Sequence, residues 1–90
     1  MTIDVSYLIT VYNKAGALPA VWESLRAQAG AHSREFVFVD DASTDGSLAI
    51  LQGFAEADDR VRVIAAADNR GPAVRLNEAA RAARGRHLHP

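Results

Sequence analysis

The chain has 90 residues and a formal net charge of -1 at pH 7, with 10 Lys or Arg against 11 Asp or Glu. This length suits one small domain or a piece of a larger one. A balance so close to neutrality lacks the positive charge that binds nucleic acid or an anionic membrane surface, so we expect neither as a partner.

The composition also bears on the compartment in which the protein works. The chain contains no Cys, which excludes disulfides and thiolate metal sites and agrees with a cytoplasmic location. No apolar run approaches the roughly 18 residues that a membrane-spanning helix requires, and residues 1–4 lack the basic start of a signal peptide. We therefore expect a cytoplasmic chain without a transmembrane segment.

The first predicted strand covers residues 5–12, which are rich in β-branched and aromatic side chains. A turn cluster of Asn, Lys, Ala and Gly follows at residues 13–16. The next apolar residues recur at helical spacing and predict a first helix that ends near Gly30. Its apolar stripe consists of Leu18, Val21, Trp22 and Leu25. We expect Trp22 to lie in the core rather than to serve as a stacking platform.

The second predicted strand, residues 35–39, carries two neighbouring carboxylates at its end. Phe-Val-Phe-Val at residues 36–39 is a continuous apolar run, as in strands that are covered on both faces of a parallel sheet. Asp40 and Asp41 follow directly, and residues 42–47 are turn formers and helix caps. Ligands of open α/β sheets bind beyond the carboxyl ends of the strands. The two acids are therefore the predicted centre of a nucleotide site.

Two further helices and two short strands complete the pattern. The second helix is predicted to bury Leu48, Leu51 and Phe54 and to be capped by Ser43, Thr44 and Asp45. A third strand is predicted at residues 61–64, and Gly71-Pro72 begins a third helix. That helix is predicted to bury Leu76, Ala79, Ala80 and Ala83 and to end in a basic turn and C-cap at Arg84-Gly85. Residues 87–90 form a predicted fourth strand that enters the core.

The element order β-α-β-α-β-α-β, with connections of helical length, predicts the α/β fold class. We expect a Rossmann-like parallel sheet with right-handed crossovers and helices on both faces. Such a sheet brings the ends of its parallel strands to one edge, where the two acids would lie.

Three alternatives that bind nucleotides or phosphates fit this chain less well. A dinucleotide-binding fold also has acid after its second strand, but its first turn needs Gly-x-Gly-x-x-Gly, whereas residues 10–16 are Thr-Val-Tyr-Asn-Lys-Ala-Gly. No glycine-rich Walker motif surrounds Lys14. A phosphoacceptor receiver needs an Asp that ends a later strand, and Asp68 lies beyond the apolar part of the third strand.

A different set of motifs covers nearly the whole chain. They are residues 5–13 (VSYLITVYN), Ser24-Leu25 with Gln28, residues 39–47 (VDDASTDGS), and Asn69-Arg70-Gly71 leading to Arg75. In this order and spacing they resemble the start of family 2 glycosyltransferases of GT-A fold. The resemblance implies an enzyme that transfers a sugar from a nucleoside diphosphate sugar to an acceptor, usually with a divalent metal.

The resemblance and the side-chain chemistry together give the candidate nucleotide-binding residues, which are Thr10, Tyr12, Asp40, Asp41 and Arg75. A carboxylate can accept the imide N–H of a uracil ring, and we assign this contact to Asp41. Tyr12 can stack on the base, Thr10 can supply a hydroxyl or backbone contact, and Arg75 can reach the nucleotide or its phosphates. Asp40 either contacts the ribose or bonds to backbone N–H groups of the following turn.

The chain departs from the family pattern at Thr10, where Pro is commoner, and at Leu76, which separates Arg75 from Asn77. Family members continue into Asp-x-Asp, which holds a divalent metal, Mn or Mg, on the diphosphate, and into an acceptor half with a catalytic base. We therefore expect residues 1–90 to be a single nucleotide-sugar-binding segment that stops before that motif. Its metal ligands would lie outside this chain, and we expect no transferase activity from these residues alone. The alternative is a non-catalytic α/β nucleotide-binding or interaction module.

The remaining polar residues have simpler interpretations. His87 and His89 share one face of a strand, but the sequence offers no third metal ligand. A solvated helix end is predicted for Arg81, Arg84 and Arg86. If the family's strand order holds, the first strand pairs with the fourth, and so short a fourth strand leaves an open sheet edge. We expect dimerisation through that edge.

Overall fold

Four strands and three helices alternate along the chain in the computed structural model, which describes residues 2–28 and 33–89. The strands are β1 (Val5–Val11), β2 (Arg34–Asp40), β3 (Val61–Ala65) and β4 (His87–His89). The helices are α1 (Leu18–Gln28), α2 (Ser47–Ala57) and α3 (Pro72–Ala82). The strands form one sheet in the order β3-β2-β1-β4, and every pairing is parallel. The predicted α/β Rossmann-like sheet is confirmed.

The two central strands set the register of the site. Val5 of β1 lies beside Arg34 of β2, and Val11 lies beside Asp40, so the two strands end at the same edge of the sheet. The backbone N–H of Asp41 donates to the carbonyl of Val11 at 2.8 Å and extends this pairing by one residue. The acids that follow β2 are therefore held against the end of β1, as the sequence predicts.

The core has one layer on each face of the sheet. On one face, Phe36 and Phe38 of β2 pack with Trp22 of α1 and Leu51 of α2. On the other face, Leu8, Val37 and Val39 pack against Ala79 of α3. All four residues of the apolar run at 36–39 are completely buried, which confirms that this strand is covered on both faces.

The helices follow the predicted apolar faces with a few exceptions. Trp22 is buried against the Phe36 ring, with the ring centroids 4.8 Å apart, so its predicted core position is confirmed. Val21 was expected in the same stripe but is exposed, because the sheet and α2 cover only a narrow strip of α1. Leu48 is half-buried. The predicted helix end at Gly30 lies outside the described residues.

Two predicted helix ends are wrong in detail. Of the three expected caps of α2, only Asp45 bonds to the first turn, where its Oδ1 accepts the N–H of Ser47 at 2.9 Å. Helix α3 ends at Ala82, so Arg84-Gly85 is neither its last turn nor its C-cap. Gly85 instead meets β1 so closely that an added Cβ would lie 2.5 Å from Ser6 Oγ.

Strand β4 pairs with β1, as the expected strand order requires. Its three described residues are nevertheless exposed, so the expectation that this strand enters the core is wrong for His87–His89. Pro90 lies outside the described residues. The residues of β4 are exposed because α3 covers β1 and β2, and no described element covers the outer side of β4. None of the described helices is long and apolar enough to cross a membrane.

Candidate functional site

A cavity of about 270 Å³ opens at the carboxyl edge of the sheet, where β1 and β2 end. It is lined by Thr10, Val11, Tyr12, Lys14, Asp41 and Pro72. The structure therefore brings three of the predicted binding residues, Thr10, Tyr12 and Asp41, to one pocket. Asp40 and Arg75 do not line it.

The loop after β1 is fixed to the loop after β2 by hydrogen bonds between backbone and side chains. Asn13, in the left-handed region with φ 50°, donates its N–H to Ser43 Oγ at 2.9 Å and accepts the N–H of Thr44 on Oδ1 at 2.8 Å. The N–H of Lys14 donates to Ser47 Oγ at 2.9 Å. These bonds hold the first loop in place, so the exposed Tyr12 ring and the Lys14 cation stay beside Asp41.

Asp40 is a structural residue of the turn that follows β2. Its side chain is buried, and both carboxylate oxygens accept from Ser43, Oδ1 from the hydroxyl at 2.6 Å and Oδ2 from the backbone N–H at 3.0 Å. Ala42, which lies between Asp41 and Ser43 in this turn, has a left-handed backbone with φ 58°. This conformation is strained for any residue with a Cβ. Of the two roles considered for Asp40, the structure contains the bond to the following turn.

Asp41 is buried, with 3% of its surface exposed, and its carboxylate accepts three protein donors. Oδ1 accepts the N–H of Arg70 at 2.9 Å and Nε of Arg75 at 2.7 Å, and Oδ2 accepts the N–H of Gly71 at 2.9 Å. The backbone N–H of Arg70, followed by the Arg75 guanidinium, lowers the pKa of Asp41 below its usual value. The carboxylate is therefore ionised at neutral pH.

Arg75 has 4% of its surface exposed and is surrounded by acids. Besides Asp41, its guanidinium donates to Glu78 Oε1 at 2.5 Å and to the backbone carbonyl and carboxylate of Asp68. The Asp41 carboxylate, before the other partners, raises the pKa of Arg75. The guanidinium of Arg75, which was predicted to reach the nucleotide, bonds to Asp41 and holds that carboxylate in place.

Sequence reasoning missed three lining residues, Val11, Lys14 and Pro72, and one supporting residue, Asn69. Lys14 is the only lysine of the chain. Its position two residues after Tyr12 could have identified it from the sequence, because loops that follow the strands lie at the edge of the sheet where ligands bind. Pro72 and Asn69 come from the loop after β3, where Asn69 Nδ2 donates to the Asp41 carbonyl at 3.3 Å. Gly71, with φ 92°, gives this loop the turn that returns it to Asp41.

The described residues show no group of three or more His, Asp or Glu side chains that could hold a metal ion. The carboxylate oxygens of Asp40 and Asp41 are instead bonded to protein donors. The pocket instead combines one ionised carboxylate, one exposed aromatic ring and one lysine. These groups suit a ligand that has a hydrogen-bond donor, a flat ring and negative charge.

Comparison with known proteins identifies the class to which this fold belongs. The structure superposes on Staphylococcus aureus TarS 1-349 in complex with UDP-GlcNAc with a TM-score of 0.85 and 26% identity, over 96% of this chain and 25% of TarS. A mannosyltransferase of Pyrobaculum calidifontis in complex with GDP-Man and Mn²⁺ gives a TM-score of 0.78 and 26% identity, over 92% of this chain and 25% of that protein. The fold is that of GT-A glycosyltransferases.

The family follows from the sequence comparison. The family described as Glycosyl transferase family 2 matches residues 6–88, and this chain belongs to that family. It is 42% identical over 85 residues to the succinoglycan biosynthesis protein ExoO of Rhizobium meliloti (strain 1021), which covers 94% of this chain and 24% of ExoO. The chain therefore spans about a quarter of the length of this relative and of the two solved structures.

Proposed function

We propose that this chain supplies the nucleotide-binding part of an inverting glycosyltransferase, which moves a sugar from a nucleoside diphosphate sugar to an acceptor hydroxyl. The observation that carries the proposal is the pocket that joins Thr10, Tyr12 and Asp41 at the ends of the two central strands. Family membership and the nucleotide sugars bound by the two solved relatives support it. Residues 1–90 form one segment of the larger catalytic domain.

The bonding of Asp41 favours a uracil base. Each oxygen of a carboxylate can accept about two hydrogen bonds. In Asp41, Oδ1 already accepts two protein donors, and Oδ2 accepts one. The position left on Oδ2 can accept one donor, which matches the single imide N–H of uracil. Guanine presents an N–H and an amino group side by side and would need both oxygens. We therefore propose a UDP-linked donor.

The other candidate residues divide into direct contacts and supports. Tyr12, which is 44% exposed, stacks on the base, and Thr10 contacts the nucleotide through its hydroxyl or backbone. The Lys14 ammonium pairs with the diphosphate, since a flexible point charge suits a phosphate group. Asp40 and Arg75 hold the turn and the loop on which Asp41 depends. In this arrangement all five predicted residues serve the nucleotide, two of them indirectly.

Chemistry at the diphosphate requires groups beyond these residues. A divalent ion, Mn²⁺ or Mg²⁺, offsets the charge of the two phosphates and of the leaving group, and we propose that its ligands and the catalytic base lie outside this sequence. What this chain contributes is binding and orientation of the nucleotide. The cysteine-free composition agrees with action in the cytoplasm, which we propose as the location.

Titration calorimetry with UDP and GDP in the presence of Mn²⁺ tests the proposal on the 90-residue chain. UDP is expected to bind and GDP to bind more weakly, and Asp41→Asn is expected to weaken UDP about tenfold because a charged acceptor is lost. Glu56→Gln, at an exposed position of α2, is the matched control and should bind UDP as the wild type does. Absence of heat with every nucleoside diphosphate would favour the non-catalytic module instead.

A further inference from the structure

A second cleft, of about 390 Å³, lies at the opposite edge of the sheet, where the strands begin. Its charged lining residues are Arg34, Arg60, Arg62, Arg84, Glu35 and Asp59. The length of β2 separates it from Asp41, a distance of about 20 Å at the usual rise of a strand. We define this region by these six residues as the basic cleft. A ligand there would not overlap one in the pocket at the carboxyl edge.

Two of the cations in the cleft, Arg34 and Arg60, contact the same aromatic ring. The guanidinium carbon of Arg34 lies 5.9 Å from the centre of the Phe36 ring, and that of Arg60 lies 5.7 Å from the same centre. Contact with a ring face stabilises each cation. Both side chains line the same cleft, so their positive charges add in attracting an anion.

Two acids near the basic cleft, Glu35 and Asp58, are bonded within the fold, whereas Asp59 remains as a negative charge in the lining. Glu35 is buried, and its carboxylate accepts the Ser6 hydroxyl at 2.6 Å, the backbone N–H of Arg84 at 2.6 Å and Nη1 of Arg62 at 3.4 Å. Asp58 accepts both Nε and Nη2 of Arg60. These bonds fix the inner wall and orient the guanidinium groups of Arg60 and Arg62.

Several guanidinium donors remain for a ligand. A guanidinium carries five N–H donors. Toward the described residues, Arg60 uses Nε and Nη2 for Asp58, and Arg62 uses Nη1 for Glu35 and the carbonyl of Ala82. The side chain of Arg84 has no hydrogen-bond acceptor or ion pair within residues 2–28 and 33–89. Fixed forks with free N–H groups match the oxygens of a phosphate, which they can bind in pairs.

We propose that the basic cleft binds a small phosphate-bearing anion, of the size of a diphosphate or a sugar phosphate, at a site separate from the nucleotide pocket. The cleft volume exceeds that of a single phosphate, and a concave site of this size suits a soluble small molecule rather than a flat anionic surface. Partial burial of Arg62 and Arg60, whose side chains are 31% and 38% exposed, strengthens their attraction for an anion relative to solvated arginines. The inference does not depend on the function proposed for the other edge.

Calorimetric titration of the 90-residue chain with inorganic pyrophosphate at physiological ionic strength tests this site. Wild type is expected to bind, and Arg84→Glu is expected to weaken binding about tenfold or more, because one charge-assisted fork is replaced by repulsion. Asp59→Asn removes a negative charge from the lining and is expected to tighten binding. The matched control is Arg81→Glu on the exposed side of α3, which should bind as the wild type does.

Lys14→Ala distinguishes the two binding sites. It removes the cation of the nucleotide pocket and is expected to leave pyrophosphate binding in the basic cleft unchanged. Loss of pyrophosphate binding in Lys14→Ala would assign the anion to the other pocket and overturn the proposal. Equal weakening by Arg84→Glu and Arg81→Glu, or no heat with the wild type, would also overturn it. Circular dichroism establishes whether each variant is folded. The tighter binding expected for Asp59→Asn could not result from unfolding.

Discussion

Nε of Arg75 donates to Oδ1 of Asp41 at 2.7 Å, and both side chains are buried. The two residues lie on different elements, the end of β2 and the first turns of α3, and they are 34 positions apart in the sequence. The same guanidinium bonds to Asp68 in the loop that precedes α3. One side chain therefore fixes both the acid of the pocket and the loop that supplies the other donors to that acid.

The first prediction concerns Arg75→Lys. Lysine keeps the charge, but its three N–H donors share one nitrogen and cannot span Asp41, Asp68 and Glu78, which Arg75 reaches with three separate nitrogens. We expect UDP affinity to fall about tenfold and the amide protons of Arg70 and Gly71, which bond to Asp41, to exchange faster with solvent. Calorimetry measures the affinity, and hydrogen exchange followed by NMR measures the amides.

Arg81→Lys is the control for this change, because Arg81 is exposed on the same helix. It should alter neither UDP affinity nor amide exchange in the loop. If Arg75→Lys lowered the affinity while Arg70 and Gly71 stayed fully protected, Arg75 would contact the nucleotide directly and its supporting role would be disproved.

Sequence reasoning predicted the features of this fold that depend on local pattern. The apolar run at 36–39 could be assigned to a strand covered on both faces because every residue in it is apolar, and the position of Asp41 then followed from the chain direction. The apolar face of α3 was predicted in part from residues at helical spacing, since Ala79 is completely buried and Leu76 and Ala80 are partly buried against the same cluster. The pairing of β1 with β4 came from the family resemblance.

The features that sequence reasoning missed depend on distant partners. Whether Arg75 faces solvent or lies among acids is set by Asp41 and Asp68, which no spacing rule connects to it. Arg84-Gly85 has the composition of a helix end, but Gly85 is needed where the chain passes over Ser6, far away in the sequence. Local composition predicts the chemistry of a residue, whereas its bonding partner is decided by the tertiary fold.

The second prediction uses two glycines with opposite surroundings. A Cβ at Gly85 would lie 2.7 Å from the backbone N of Ser6 and 2.9 Å from the carbonyl carbon of Val5. Because backbone atoms cannot rotate away, Gly85→Ala is expected to destabilise the fold by about 1–3 kcal/mol. A Cβ at Gly53, in the middle of α2, would meet no atom within 4 Å. Gly53→Ala is expected to stabilise the fold by about 0.5–1 kcal/mol through helix propensity.

Thermal unfolding followed by circular dichroism measures both variants. For a domain of this size, about 1 kcal/mol corresponds to a shift in Tm of about 4–8 °C, so the two variants should move Tm in opposite directions. An unchanged Tm for Gly85→Ala would mean that the segment after α3 does not approach β1 as closely in solution.

The third prediction is a pH dependence that originates from Glu35. Burial opposes ionisation of this carboxyl, but hydrogen bonds from Ser6 and the backbone of Arg84, together with the Arg62 charge, outweigh burial and lower its pKa below the ordinary value of 4.5. Because the folded pKa is lower than the unfolded pKa, the stabilisation is fully present above about pH 5 and is lost as the pH falls through the folded pKa.

Glu35→Gln removes the charge, and we expect it to reduce the free energy of unfolding at neutral pH by about 1–3 kcal/mol. The difference from wild type should be constant above about pH 5 and should shrink as the pH falls below that, because the wild-type carboxyl becomes protonated. Urea unfolding at several pH values measures it, with the exposed Glu56→Gln as the control. A difference that also stayed constant below about pH 5 would show that the charge of Glu35 does not stabilise the fold.

The last prediction concerns the outer edge of the sheet. Strand β4 pairs with β1 on one side, and within the described residues no strand pairs with its other side. Leu88, at the centre of β4, is 48% exposed, so this edge offers both unpaired backbone groups and an apolar side chain, the combination that favours association of sheets. We expect the 90-residue chain to dimerise through β4 as its concentration rises and Leu88→Lys to weaken that association.

Light scattering coupled to size exclusion measures the mass at increasing concentration. Val21→Lys is the matched control, because Val21 is also an exposed apolar residue but lies on α1, away from this edge, and it should associate as the wild type does. A lysine side chain on an edge strand disfavours pairing with a second strand. Leu88→Lys should therefore shift dimerisation to higher concentration without changing the fold of the monomer. A wild-type chain that stays monomeric and monodisperse at high concentration would show that three exposed residues of β4 are too short an edge to recruit a second copy.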